Sequence, residues 1–109
     1  MIHIHLSTHP RTGTITIHGE RFDLATWHRA GEGQMHATTT DGERVTLATA
    51  DDGDGIHGGM CIGNTLAARR WTIRDGVRDG ATLTGTAYPV PSDEWLEQYI
   101  ERMVARVRG

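Results

Sequence analysis

The 109-residue chain contains one cysteine, one phenylalanine, two serines and no lysine. A lone Cys61 permits no internal disulfide, so an oxidising compartment would give the fold no covalent support and a reducing cytoplasm is the expected location. The two serines, Ser7 and Ser92, lie in no G-x-S-x-G elbow, which excludes a serine hydrolase of that type. No stretch approaches the roughly 20 apolar residues of a membrane helix. The opening Met1-Ile2-His3-Ile4-His5-Leu6-Ser7 interrupts its apolar residues with histidines, unlike the continuous core of a signal peptide.

An excess of basic charge is also missing. Eleven basic residues face fourteen acidic ones for a net charge of −3, which disfavours general DNA or RNA affinity. The same charge is too small for a mimic of a phosphate-lined duplex. All basic residues are arginine, which reads as high-GC coding bias and hints at a bacterial or phage source.

What remains describes one domain, residues 1–109, able to bury about 65% of its extended surface. Ile2, Ile4 and Leu6 alternate with His3 and His5, and Ile15 and Ile17 alternate with Thr14, Thr16 and His18. Period two with β-branched residues predicts two half-buried strands. If they pair, a common core face requires paired residue numbers with an odd sum, for instance Leu6 with Ile15, Ile4 with Ile17 and His3 with His18. Residues 21–27 read as a strand, with a helical turn as the competing reading over 20–29. Asp41-Gly42 predicts a type I′ hairpin between residues 35–40 and 43–49. Residues 51–59, with four glycines and three aspartates, predict a loop without regular structure. A short strand at 60–62 and a hairpin of 66–74 with 81–88 complete the β region, 1–88.

After Pro89 and Pro91 the period changes. Ser92 suits an N-cap, Asp93 and Glu94 favour the helix dipole, and Trp95, Leu96, Tyr99, Ile100, Met103, Val104 and Val107 form one stripe. The expected architecture is therefore α+β: a twisted antiparallel sheet of six or seven short strands, its open face covered by a C-terminal amphipathic helix at 92–108. Trp71 and Trp95 are expected to meet in that core. An exposed stripe would instead make a homodimer.

The seven histidines are the most unusual compositional feature. His3 and His5 project to one strand face, and the pairing above brings His18 beside them. Three neutral imidazoles could hold zinc or another first-row divalent metal with positions left for water. The plainer reading makes them solvent-facing residues on the polar side of a hairpin. Gly53-Asp54-Gly55-Ile56-His57-Gly58 matches G-x-G-x-x-G, but no helix follows to present backbone N–H groups, and Asp51, Asp52 and Asp54 would repel a pyrophosphate. Calcium would need further oxygen ligands that the following sequence does not supply. Cys61 with His57 could form a thiol nucleophile and base, although a cysteine between Met60 and Ile62 more often serves as a small hydrophobe.

No paired carboxylates stand out for acid–base work. The densest basic stretch runs through Arg70, Arg74 and Arg78, and arginine and tryptophan are favoured at interface centres. The expected function is a small non-enzymatic regulatory protein that binds another protein, such as a phage-encoded inhibitor of a host protein. Its candidate contacts are Trp27, the loop Asp51, Asp52, Asp54 and His57, and the edge Arg70, Arg74 and Arg78. The rival readings are a metal-dependent site at His3, His5 and His18, and nucleic-acid binding along the arginine edge.

Overall fold

In-and-out alternation, broken by bulges at Leu24/Thr26 and Arg74/Val77, shapes the structure, a computed structural model that describes residues 1–64 and 68–90. Ile2 and Ile4 are buried while His3 and His5 are exposed, and Val45 and Leu47 are buried while Arg44 and Thr46 are exposed. The described residues form eight strands: β1 (Ile2–Leu6), β2 (Gly13–Ile17), β3 (Glu20–Gly31), β4 (Gln34–Thr39), β5 (Arg44–Asp51), β6 (Ile56–Ile62), β7 (Arg69–Asp79) and β8 (Thr82–Val90). Each pairs antiparallel with the next, and β8 returns beside β1 to close a barrel.

Closure overturns the α+β expectation. Among the described residues the fold is all-β, because Ile4 lies opposite Leu83 and Ile2 opposite Gly85, so the apolar face curls onto itself. Among the described residues the apolar sheet face is closed on itself. The predicted helix at 92–108, with Trp95, lies outside the described residues. Eight strands leave an interior just wide enough for side chains to fill, and Ile2, Ile4, Ile15, Ile62, Ile73 and Val45 fill it with almost no exposure. Trp71 belongs to this core. The arrangement is apolar within and polar without, the inverse of barrels that carry an apolar band toward lipid. Among the described residues no helix is long and apolar enough to cross a membrane.

The expected parity of β1 and β2 holds, but the register differs by two residues: Ile4 pairs with Ile15 and Ile2 with Ile17. Both registers keep the isoleucines inside. The loop between the strands supplies the deciding contacts, since Ser7 N–H donates to Thr12 O at 2.8 Å and the Trp27 indole N–H donates to Ser7 O and Thr12 O at 2.8 and 2.9 Å. The two-residue turn with positive φ at both positions is His18-Gly19 (49° and 84°), joining β2 to β3, and not Asp41-Gly42. At the latter hairpin only Gly42 adopts positive φ, 86°, and Thr39 N–H donates to Glu43 O at 2.8 Å around a three-residue loop.

Two further departures come from bulges and glycine. Residues 20–29 belong to one long strand, interrupted by a register shift between Leu24 and Thr26. The expected loop at 51–59 is confined to its first half, and Ile56 to Gly59 join β6 because Gly58 lets the Ala48 backbone approach where a side chain could not fit.

Candidate functional site: the outer face of β7, β8 and β1

Trp71 and Ile73 point into the core, so alternation turns Arg70, Thr72 and Arg74 of β7 outward. The β7–β8 register places Arg70 opposite Val90, Thr72 opposite Tyr88 and Arg74 opposite Thr86. Tyr88, 51% exposed, therefore stands diagonally between two arginines. Beyond Arg74 the register shifts at Asp75-Gly76, with Asp75 at φ 54°, and Val77 opposes Thr84. Thr84 faces out, so Val77 does too, at 64% exposure.

The same bulge breaks up the predicted arginine edge. Arg78 opposes Leu83, which packs against the core, and its Nε donates to Gly80 O at 3.3 Å at the barrel rim. Arg70 and Arg74 share a face that Arg78 leaves. On the other side of β8, His3 opposes Thr84 and His5 opposes Thr82, with His5 Nδ1 and Thr82 Oγ1 hydrogen-bonded at 2.9 Å. The arginine strand and the histidine strand, 64 residues apart between His5 and Arg69 in sequence, are thus separated by β8 alone.

The proposed convergence of His3, His5 and His18 does not occur. His3 faces Thr16, while His18 sits in the β2–β3 turn, its Nδ1 accepting from the N-terminal amine at 3.2 Å and its Nε2 donating to Ala87 O at 2.8 Å. Because a carbonyl can only accept, that Nε2 is the protonated nitrogen. Among the described residues no group of three or more His, Cys, Asp or Glu side chains is placed to hold a metal ion.

The other sequence candidates are dispersed. Trp27 is half-buried, tied to the β1–β2 loop through its indole N–H, with the Arg11 guanidinium 5.2 Å from its ring centroid. Asp51 and Asp52 are turned onto their own loop, accepting backbone N–H bonds from Gly53 and Asp54 at 3.0 Å. His57 Nε2 lies 3.5 Å from Asp52 Oδ1. Cys61 shares a strand face with His57 but stands four residues along β6, about 13 Å away at the usual rise, so no thiol–imidazole pair is assembled.

A depression of about 280 Å³ opens at the barrel end where β8 finishes, lined by Ile17, His18, Glu20, Arg69, Arg70, Trp71, Pro89 and Val90. Arg69 binds Glu20 with two hydrogen bonds, 2.7 and 2.8 Å, and its guanidinium lies 4.9 Å from the Trp71 ring centroid and 5.8 Å from that of Phe22. Hydrogen bonding to Arg69 holds the Glu20 carboxyl below its ordinary range, against a smaller opposing effect of desolvation. A depressed carboxylate stabilises the fold above the unfolded glutamate value, and that contribution disappears as pH falls through the folded value. Glu20→Gln is therefore expected to melt below the wild type at pH 7, with the gap closing in strong acid; thermal melts of both proteins across pH check this.

Neither protein-family models, nor characterised proteins, nor solved structures give a significant match to this chain. Sequence reasoning missed Tyr88 and Val77. Tyr88 was legible as the outward neighbour of Ala87 in an alternating strand, whereas Val77 became outward only through the bulge.

Proposed function

We propose that this protein is a non-enzymatic interaction module that binds the acidic surface of another protein through the outer face of β7, β8 and β1. The observation that supports this reading is the juxtaposition made by closure: Arg70, Arg74, Tyr88 and Val77 on one continuous face with His3 and His5. Exposed tyrosine flanked by arginine has the composition of interface hot spots, where a rigid ring supplies contact area and guanidinium groups meet carboxylates. The barrel interior is occupied by its own isoleucines, so carriage of an enclosed ligand is not favoured. A cytoplasmic setting belongs to the same reading, since a chain with only Cys61 gains nothing covalent elsewhere.

The test is capture of a partner with tagged protein, followed by affinity measurement on the purified pair. Tyr88→Ala is expected to weaken binding by about 30-fold, the loss of a hot-spot residue worth roughly 2 kcal/mol, and Arg74→Ala to weaken it and flatten its salt dependence. His28→Ala, on another part of the barrel, should leave affinity unchanged. Binding that is indifferent to Tyr88 and Arg74 overturns the proposal. A steeply salt-dependent affinity for polynucleotide through the same residues would replace it with the nucleic-acid reading.

A further inference from the structure

We infer that His28 and His36 form a binding site for one divalent first-row transition ion on the outer face of β3 and β4. The site depends on a bulge. Counting by two from buried Leu24 would send residue 28 into the core, but the register shift between Leu24 and Thr26 reverses the faces, so that half-buried Trp27 points inward and His28 outward. His28 then falls directly opposite His36, which alternates between buried Met35 and Ala37.

The two rings have centroids 5.5 Å apart with planes inclined at 75°. Two imidazoles on one tetrahedral ion, with metal–nitrogen distances of about 2.0–2.1 Å, bring their ring centroids to about 5 Å. The observed separation is within reach of that arrangement by rotation of the side chains, which are exposed at His28 and half-buried at His36. The backbone beneath is held, because Trp27 is fastened by its two indole hydrogen bonds to the β1–β2 loop.

Competition for the ring nitrogens separates this pair from His5, His18 and His57, and a facing imidazole separates it from His3 and His9. His5 engages Thr82, His18 engages the N-terminal amine and Ala87, and His57 engages Asp52. The described contact of His28 and His36 is with each other. Thr46 continues the row across β5 and Cys61 across β6. Two strand spacings put Cys61 about 10 Å from His36 at the backbone, so the thiol is not a third ligand. Two imidazoles with the remaining positions taken by water suit Cu²⁺, Ni²⁺ or Zn²⁺ rather than Ca²⁺ or Mg²⁺, which require oxygen ligands. This site is independent of the interaction face.

The experiment is calorimetric titration of tag-free protein with Ni²⁺ and with Zn²⁺, together with nuclear magnetic resonance spectra at substoichiometric Cu²⁺. One ion per chain is expected, with paramagnetic broadening centred on β3 and β4. His28→Ala and His36→Ala should each weaken binding by at least about 10- to 100-fold, the range that even outer-shell partners of a metal contribute. The double variant His3→Ala/His5→Ala should bind as the wild type does. Circular dichroism of each variant verifies the fold. Absence of binding, affinity unchanged in both single variants, or broadening centred on His3 and His5 would each overturn the assignment.

Discussion

Trp71→Ala is expected to lower the unfolding free energy by about 3–5 kcal/mol, the usual result of emptying a large aromatic site. The total for a domain of this kind is only about 5–15 kcal/mol, so the variant should be marginal at 37 °C. Trp71 is 4% exposed and sits between Met60 on β6 and Pro89 on β8, where strand backbones limit how far the wall can collapse into the space. The substitution also removes the ring beneath the Arg69 guanidinium and loosens the bidentate pair with Glu20. Urea unfolding measures the effect: the midpoint should fall while the slope stays close to that of the wild type. A loss below about 1 kcal/mol would mean that Trp71 is not integral to the barrel core.

Gly58→Ala is expected to cost about 3 kcal/mol, at the upper end of overpacking penalties. A methyl group there would meet the Ala48 carbonyl oxygen and lie 2.8 Å from Thr49 Cα and 2.9 Å from the Ala48 carbonyl carbon. These are backbone atoms of the paired strand and cannot rotate aside, so β5 and β6 must part. Gly59→Ala provides the contrast, since its nearest neighbour would be Trp71 O at an ordinary 3.6 Å. Thermal unfolding of the two variants should place Gly58→Ala many degrees below the wild type and Gly59→Ala close to it. Equal effects at both positions would show that lost glycine flexibility, and not the close approach of β5, governs this strand.

Much of the strand content was legible because a half-buried strand reveals itself by alternation. Ile2/Ile4 against His3/His5 and Ile15/Ile17 against Thr14/Thr16 were read with the correct faces. The reading failed where alternation was interrupted. Period-two counting has no means of detecting the extra residue after Leu24, which turns His28 outward, or the shift at Asp75-Gly76, which turns Val77 outward and separates Arg78 from Arg70 and Arg74. The glycine-rich run before Met60 looked like loop, because the reason for a glycine at residue 58 lies on another strand. His18 was assigned to the strand face although His-Gly is also turn chemistry, and its positive φ removes it from His3.

For the interaction surface, the separate ingredients were visible and their adjacency was not. His3 and His5 were identified on one strand and Arg70 and Arg74 on another, with nothing in the local pattern to relate them. Pairing of β1 with β8 unites them, and the same pairing makes a covering helix unnecessary among the described residues.

The amino-acid order alone determined which side chains seek the interior along each uninterrupted stretch of strand, because apolar burial acts residue by residue and a strand has only two faces. Tertiary structure decided which strands became neighbours, where the faces reverse, and that the sheet would close. Those outcomes arise from contacts between residues remote in the chain, such as Ile4 with Leu83 and Gly58 with Ala48, whose free energy exists only once the backbone has brought them together.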